Sequence, residues 1–387
     1  MRWLRRIGLV LLALAVLTVA WEPARVAVQT GVMLPNLLGA GPRPLDLFSE
    51  TPRRSAIAYR AGEAGEDPDL AELWLPAWAS AERPAGAMLL VFGVNNLGRN
   101  HPAIERVADG LARTGVAVLV PDSRTLLAGR LEVGEIDGVV RAFQTLLTRP
   151  EVDRERIGIV GFSVGGSLAL LAARDPRIRD DVRWVNAFGA FADAHSYLAS
   201  VSSHAYRDAG GRPVDWTPTP LAREVYLRFV LDQVRDDRDR GRLERALSEA
   251  ILEGERPQAD PALRGRLRTD AARTAHDLLT AASLDAAEVF VTELPTRSQR
   301  FIDAISPIRH LDGLSAEVFL MHEIADHHVP FVETRALADV LGDARLRTHT
   351  EFRLFDHVQP DDLNLIAAAP QLLKLLLHVR LLMEETL

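Results

Sequence analysis

The sequence from Ile157 to Ala173 reads IGIVGFSVGGSLALLAA, and it decides the fold. Its first six residues are apolar or glycine and include β-branched side chains, which is typical of a buried strand. The last seven residues, from Ser167 onward, are mostly Leu and Ala and favour a helix. Between them stands Gly-Phe-Ser-Val-Gly at 161–165, so the chain must turn sharply at Ser163. A buried strand that leads directly into a helix favours a parallel sheet covered by helices.

The serine in this turn has the surroundings that a nucleophile needs. A strand-to-helix turn this sharp strains the serine backbone and leaves little space, which Gly161 and Gly165 provide. The following helix directs its first N–H groups and the positive end of its dipole at Ser163, where an oxyanion would form in acyl transfer. We therefore interpret Ser163 as a candidate nucleophile. The alternative is a glycine-rich turn with an inert serine.

Composition excludes several classes of protein. With 387 residues, 48% hydrophobic and 25% charged, the chain is long enough for one large domain with an insertion or for two domains. A net charge of −8 argues against a nucleic-acid partner, because that surface needs clustered Lys and Arg. The chain contains no cysteine, which excludes disulfides, thiolate ligands and a Cys nucleophile.

The first residues have the composition of an export signal. Three arginines precede an uninterrupted apolar run over 7–20, which is shorter than the roughly 20 residues that span a bilayer. Thr18-Val19-Ala20 is an acceptable cleavage site, whereas Trp21 suits a membrane interface. We favour an uncleaved anchor in the cell membrane with the rest of the chain outside the cytoplasm; the alternative is a secreted or periplasmic protein. The next apolar segment, 26–38, lies either on the membrane or on the domain.

Strand and helix patterns alternate along most of the chain. The predicted strands are 55–60, 71–76, 87–92, 116–121, 157–162, 183–188, 316–322 and part of 347–355, and the predicted helices are 101–113, 133–147, 330–341 and part of 366–383. This alternation predicts an α/β fold whose mostly parallel central sheet is flanked by helices. The divisions that we predict are an N-terminal segment (1–45), a first core part (46–190), an inserted helical cap (191–305) and a second core part (306–387).

A serine becomes a good nucleophile only when an imidazole accepts its proton and a carboxylate orients that imidazole. Two late loops contain such residues. Asp326 lies at the tip of the loop that follows the strand over 318–322, and His357 follows the last strand. Both are therefore candidates for the site. Asp356 is an alternative acid, but neighbours on an extended strand point to opposite faces.

These motifs together resemble those of the α/β-hydrolase superfamily, most closely its dienelactone-hydrolase-like and related serine esterase branches. The matching motifs are GFSVGG at 161–166, PDSR at 121–124, SPI at 306–308, ADHHVP at 325–330 and FDHV at 355–358. The resemblance covers roughly 55–387 except the cap. It implies the α/β-hydrolase fold, with Ser163 as nucleophile, Asp326 as orienting acid and His357 as general base.

The chain departs from this family at two positions. The usual His-Gly after the third strand is Phe92-Gly93 here, so the loop that supplies an oxyanion donor has a different brace. We expect the donors to be the backbone N–H groups of Val94 and Val164, with Asn95 as the alternative to Val94. Dienelactone hydrolases also use Cys where this chain has Ser163, which favours hydrolysis of oxygen esters.

A metal site is the rival interpretation of the residues around Asp326. His322, His327, His328 and Glu323 are near it in sequence, but no H-E-x-x-H spacing occurs and a serine triad needs no metal. We expect neither a metal nor a cofactor. The sequence thus predicts a carboxylic ester hydrolase that acts on a small ester or acyl substrate through an acyl-enzyme. A peptidase or thioesterase with the same triad, or a non-catalytic membrane-tethered interaction protein, is the alternative; the oligomeric state cannot be read from the sequence.

Overall fold

Eight strands form one sheet in the computed structural model, which describes residues 22–38, 43–60, 68–356, 359–360 and 365–387. The sheet strands are β1 (Arg53–Arg60), β2 (Asp69–Leu75), β3 (Ala85–Val91), β4 (Ala117–Pro121), β5 (Val152–Phe162), β6 (Trp184–Phe188), β9 (Glu317–Glu323) and β10 (Leu346–Phe352), and the short strands are β7 (Ala205–Arg207), β8 (Pro213–Asp215), β11 (Phe355–Asp356) and β12 (Gln359–Pro360). The helices are α1 (Glu22–Leu38), α2 (Leu45–Phe48), α3 (Pro102–Thr114), α4 (Arg124–Leu127), α5 (Gly134–Leu147), α6 (Val164–Ala172), α7 (Ala194–Ser203), α8 (Pro220–Asp232), α9 (Asp237–Glu253), α10 (Pro261–Arg266), α11 (Asp270–Leu279), α12 (Leu284–Thr292), α13 (Thr296–Ile305), α14 (Val332–Arg345) and α15 (Leu365–Thr386).

The strand order explains where a site can form. The order is β1-β2-β4-β3-β5-β6-β9-β10, and β2 runs antiparallel to both of its neighbours while the other neighbours are parallel. The carboxyl ends of β5, β6, β9 and β10 therefore meet at one edge of the sheet. Ligands in open α/β sheets bind at this edge.

Helices cover both faces of the sheet. On one face α5 and α6 bury Phe143, Leu146 and Leu168 against the strands, and on the other face α3 buries Leu111. The apolar segment 26–38 belongs to α1, which packs against α3 and α15. Met33 of α1 is completely buried there. This segment therefore lies on the domain, one of the two placements that its sequence allows.

A helical segment, residues 194–305, separates β6 from β9 and contains α7 to α13 with the small β7–β8 hairpin. It has a core of its own, in which Leu243 and Leu278 are fully buried. Most of the charged run 235–240 lies at its surface, and Asp236 accepts from the first N–H groups of α9. Asp239 is instead completely buried and accepts from the N–H groups of Arg268 and Thr269. The segment packs as a layer of helices beside the carboxyl edge of the sheet, because α13 contacts α6 and the hydroxyl of Ser196 in α7 donates to the carboxylate of Glu333 in α14 at 2.6 Å.

The predicted alternation of strands and helices is confirmed, and the boundaries move by a few residues. The largest change is at β5, which begins at Val152 because 152–156 extend the strand before the buried part starts. Among the helices of the described ranges, none combines the length and the apolar character needed to cross a bilayer. The predicted export signal at 7–20 lies outside the described residues.

Candidate active site

Ser163 occupies the tight turn between β5 and α6 that its sequence predicts. Its φ of 56° and ψ of −131° are rare for a residue with a side chain. The backbone N–H of Ser163 donates to the carbonyl of Phe188 at 2.7 Å, and its carbonyl accepts from the N–H of Gly166 at 2.8 Å. Neighbouring strand and helix therefore hold the strained conformation, and the Ser163 side chain lines a cavity.

The two glycines of the motif are required by the close approach of the backbone. A Cβ on Gly161 would lie 2.3 Å from the carbonyl oxygen of Gly165. A Cβ on Gly165 would lie 2.2 Å from the carbonyl oxygen of Val91. Both neighbours are backbone atoms that cannot rotate away. Any side chain at either position would consequently move the turn that carries Ser163.

The loop after β3 passes directly over this turn. A Cβ on Gly93 would lie 3.1 Å from Cβ of Ser163 and 3.3 Å from the backbone nitrogen of Val164. Val94 and Val164 line the same cavity as Ser163. Val164 is the first residue of α6, so its N–H has no carbonyl partner within the helix. Both candidate oxyanion donors thus border the cavity beside Ser163.

Phe92 stands where the family that the motifs resemble usually has a histidine, and it packs against another aromatic ring. Its ring stacks on that of Phe162 with centroids 4.8 Å apart and an angle of 1° between the planes. Asn95, the alternative donor, turns its side chain into the loop, where it accepts from the N–H of Leu97 at 3.2 Å and donates to the carbonyl of Gly93 at 3.3 Å. Asn95 lines a separate cavity of about 30 Å³. Val94 thus borders the cavity at Ser163, whereas Asn95 borders the smaller one.

Asp326 is almost completely buried, with 3% of its surface exposed. One carboxylate oxygen, Oδ1, accepts from the backbone N–H groups of His328 at 2.6 Å and Val329 at 3.0 Å. The other, Oδ2, lies 3.3 Å from Nε2 of His322. Backbone donors stabilise the ionised carboxylate and fix its orientation. The acid is therefore held rigidly at the carboxyl end of β9.

Hydrogen bonds from the helical segment hold the loop that carries Asp326. Three consecutive carbonyls of this loop each accept a hydrogen bond from a different part of the segment. The indole N–H of Trp216 donates to the carbonyl of Asp326 at 2.8 Å, the backbone N–H of Thr219 to that of His327 at 2.8 Å, and the hydroxyl of Tyr197 to that of His328 at 3.0 Å. Burial raises the pKa of Tyr197, so its hydroxyl remains a donor. The position of the acid thus depends on the helical segment.

The three histidines near Asp326 have different environments. His322 is buried, and its ring nitrogens lie 2.9 Å from Oγ1 of Thr334 and 3.0 Å from the carbonyl of Val329. His327 is hydrogen-bonded to the carbonyl of Thr217 at 2.9 Å, and His328 lines the cavity. In the described part of the chain, no three His, Cys, Asp or Glu side chains are arranged to hold a metal ion. Sequence reasoning missed the contact between His322 and Asp326, although the i, i+4 spacing was visible.

His357, the candidate base, lies outside the described residues, as does the side chain of Asp356. Two hydrogen bonds join the chain that precedes His357 to the end of β9. The N–H of Ile324 donates to the carbonyl of Phe352 at 2.9 Å, and the N–H of Leu354 donates to the carboxylate of Glu323. Beyond them β11 pairs with β12. The loop with Asp326 and the chain toward His357 therefore leave adjacent strands side by side.

A cavity of about 720 Å³ lies between the turn at Ser163 and the helical segment. Its volume falls within the range of small-molecule sites. Apolar side chains form much of its wall, among them Val94, Val164, Phe191, Leu198, Phe301 and Ile305. Charged side chains also line it, namely Arg130, Glu132, Arg228, Asp232, Arg297 and Arg300. The cavity is thus both apolar and charged.

The fold is similar to that of several solved hydrolases. A dipeptidyl aminopeptidase IV candidate from Bacteroides ovatus matches with a TM-score of 0.50 and 13% identity over 87% of this chain and 36% of its own. An acylaminoacyl peptidase (TM-score 0.48, 14% identity) matches 82% of this chain and 40% of its own, and a 2,6-dihydroxy-pseudo-oxynicotine hydrolase (0.48, 13%) matches 87% and 68%. The chain therefore spans two fifths or less of either peptidase.

The sheet order and the likeness to the Bacteroides ovatus structure define the class of fold. The chain has the α/β-hydrolase fold, as its motifs predict. No model of a protein family matches the sequence, and no curated protein matches it either. The identities of 13–14% support the fold alone.

Proposed function

We propose that this protein is a serine hydrolase whose nucleophile is Ser163. The observation that carries the proposal is the strained turn at Ser163, with φ at 56°, which opens into a cavity of about 720 Å³. Backbone strain of this kind concentrates at functional sites because the surrounding structure must stabilise it. Backbone atoms pack closely against Gly161 and Gly165 on either side of Ser163. The serine side chain between them lines the cavity.

In the proposed reaction Ser163 attacks the substrate carbonyl while His357 accepts its proton and Asp326 orients the imidazole. The chain geometry supports His357 in this role. Leu354 is fixed beside Glu323, and His357 and Asp326 each follow their anchor by three residues. Three residues reach at most about 11 Å, so these separations along the chain allow His357 to reach Asp326.

The tetrahedral intermediate carries a negative charge on the former carbonyl oxygen. We assign its stabilisation to the backbone N–H groups of Val94 and Val164, which border the cavity beside Ser163. The positive end of the α6 dipole acts at the same place. His357 then protonates the leaving group, and water hydrolyses the acyl-enzyme with His357 again as base.

Within this class we propose a carboxylic ester as the substrate. The cavity that Ser163 lines also has apolar walls, which include Val164, Phe191 and Ile305 and suit an acyl or alkyl chain. The fold is shared with peptidases, so amide and thioester substrates belong in the same assay.

The test is labelling by a fluorophosphonate probe together with hydrolysis of p-nitrophenyl esters of increasing chain length. Ser163→Ala should abolish labelling and lower kcat by at least about 10⁴-fold while the protein still folds. Ser315→Ala is the matched control, because Ser315 is exposed in a loop before β9. Wild-type protein that neither labels nor hydrolyses any ester, peptide or thioester would support a non-catalytic interaction protein instead.

The triad assignment has its own test. His357→Gln and Asp326→Asn should each lower kcat by about 10³–10⁴-fold with little change in KM, since both act on the proton transfer. Asp356→Asn is the control for the neighbouring carboxylate. Full loss in Asp356→Asn with activity retained in Asp326→Asn would reassign the acid.

We also propose that residues 1–21 hold this hydrolase at the cell membrane, outside the cytoplasm. The proposal rests on the three arginines that precede the apolar run over 7–20. Full-length protein should sediment with membranes and resist alkaline carbonate extraction. Protein without its first 21 residues, which keeps α1, should be soluble. A shortened protein in the soluble fraction, formed by cleavage of the full-length chain, would indicate secretion.

A further inference from the structure

We infer that the substrate carries an anionic group at the end away from the reacting carbonyl, and that Arg297 and Arg300 bind it. This inference rests on the proposed function, because it treats the cavity beside Ser163 as the substrate site. It adds the chemical class of the substrate to that function.

The helix α13 presents one face to the cavity. Arg297, Arg300, Phe301, Ala304 and Ile305 all line it, at the spacing of three and four residues that places side chains on one side of a helix. Gln299 points elsewhere and contacts the ring of His195 at 3.0 Å. The two arginines therefore face the cavity as part of a continuous stripe with the apolar residues.

The direction of α13 separates the apolar end of this stripe from its charged end. Ser306, which directly follows the helix, accepts from the N–H of Ala194 at 2.9 Å, just beyond the end of β6. The carboxyl end of α13 is therefore anchored at the core, where the helix also packs against α6. At 1.5 Å per residue, Arg300 lies about 8 Å and Arg297 about 12 Å farther out than Ile305 along the axis.

The two arginines have no acidic partner among the residues that the structure describes, and both are exposed. The other cavity arginines are already engaged. Arg228 bonds to the carboxylate of Glu224 at 2.8 Å, and Arg130 lies 3.7 Å from that of Asp232. Arg297 and Arg300 are thus the cavity cations that remain available to a ligand.

The electrostatics of the cavity favour an anion although the chain is acidic. Four arginines line the cavity against two carboxylates, Glu132 and Asp232, whereas the whole chain has a net charge of −8. The amino end of α13 adds to the positive potential, because Pro295 precedes it and provides no side-chain cap. A carboxylate or phosphate would be recognised by paired guanidinium groups in this position.

A carboxylic ester with a second, ionised acid group fits both ends of the cavity. Its acyl chain would contact Ile305 and Phe301, and its anionic end would reach Arg300 and Arg297. The atoms that react are unchanged, since Ser163 attacks the ester carbonyl and the alcohol leaves. The distal charge contributes binding and orientation.

The test compares mono-p-nitrophenyl esters of adipate, suberate and sebacate with the neutral hexanoate, octanoate and decanoate esters. The double variant Arg297→Ala/Arg300→Ala should lower the ratio of kcat/KM for the dicarboxylate esters to kcat/KM for the matched neutral esters about tenfold. Arg154→Ala is the control, since Arg154 is exposed near the amino end of β5, away from the site. Matched esters that end in a phosphate distinguish a phosphate ligand from a carboxylate ligand.

Binding of suberate itself, followed by calorimetry, tests the arginines without turnover. We expect a Kd about tenfold weaker in the double variant, and weaker binding to the wild type at high salt, because exposed charges are screened. Equal suberate binding by both proteins, or none by either, would overturn the inference whatever the catalytic result. Absence of fluorophosphonate labelling and of ester hydrolysis would instead contradict the proposed function.

Discussion

Nε2 of His322 lies 3.3 Å from Oδ2 of Asp326, and both side chains are fully buried. The same nitrogen lies 3.0 Å from the carbonyl oxygen of Val329, which can only accept, so Nε2 carries a proton. The His322 ring thus contacts both the carboxylate of Asp326 and the carbonyl of Val329 in the same loop. The position of the acid is fixed from the side of β9 as well as by the backbone N–H groups of its own loop.

His322→Phe should therefore reduce catalysis through the position of Asp326. The substitution removes a donor from a buried carboxylate, for which we expect a cost of about 1–3 kcal/mol in stability. The expected kinetic result is a kcat about tenfold lower with KM nearly unchanged, measured with a p-nitrophenyl ester. His327→Phe is the control, because His327 is exposed and its partner is the carbonyl of Thr217. An unchanged kcat in a folded His322→Phe variant would limit this histidine to a structural role.

Gly161→Ala should destabilise the protein and displace Ser163 at the same time. The new Cβ meets the carbonyl oxygen of Gly165 at 2.3 Å, so backbone must move, at a cost of about 3 kcal/mol. Gly138→Ala, within α5, is the matched control because, apart from its chain neighbours and the backbone of its own helix, no heavy atom lies within 4 Å of its Cβ position. That control should gain about 0.5–1 kcal/mol from helix propensity. Urea unfolding of both variants checks the pair, and equal stabilities would contradict this explanation of the glycine.

The sequence predicts the parts of this molecule whose signals are local. The apolar run over 157–162, the two glycines and the following helix lie within one short stretch, so their spacing alone indicates the turn at Ser163. The parallel strands are equally visible, because strands buried on both faces are continuously apolar, as β3 is. Such features depend on near neighbours in the chain.

The contacts that complete the candidate site come from distant parts of the chain, and the sequence does not show them. Trp216 is 110 positions from Asp326, and nothing in its surroundings indicates that its indole N–H would meet that carbonyl. Arg297 and Arg300 resemble solvated surface residues until the docking of α13 shows which face borders the cavity. Phe92 reads as a loss of the family's histidine, whereas the structure shows that it stacks on Phe162.

His378 should make the protein less stable in acid. Burial, with a smaller contribution from the charge of His349, lowers the pKa of this side chain to about 3. Its ring bonds to Thr350 and Asn186, both at 2.8 Å. An unfolded histidine has a pKa of about 6.5, so the unfolded state binds more protons between pH 6.5 and 3. The free energy of unfolding should fall through that window by up to about 1.4 kcal/mol per pH unit. Urea unfolding at pH 7 and pH 5 should show a smaller loss in His378→Gln than in the wild type.

The pair of Asp193 and His195 should make the protein less stable at high pH, which is opposite to the effect of His378. Burial alone would raise the pKa of Asp193, but hydrogen bonds from the ring and the N–H of His195, with the charges of His195 and Arg309, hold it at about 2. The bond to Asp193 raises the pKa of His195 against the effect of burial, and Gln299 supports it. This pair lies where the helical segment begins, and the hydroxyl of Ser306, just after α13, is 3.1 Å from the carboxylate.

The sign follows from these directions. The contribution of His195 to the free energy of unfolding is complete below its unfolded pKa of about 6.5 and is lost as the pH rises through its raised folded pKa. The contribution of Asp193 is present above a pH of about 3.8 and is lost as the pH falls through its folded pKa of about 2. Asp193→Asn should therefore destabilise the protein most between pH 4 and 6.5 and progressively less above it. The neighbouring carboxylates of Asp303 and Glu333 are unchanged in this variant, so the difference from the wild type reports the loss of the Asp193 charge. NMR titration of His195 should give a pKa above 6.5 in the wild type and a lower value in Asp193→Asn; the same value in both proteins would mean that this carboxylate does not hold the proton on His195.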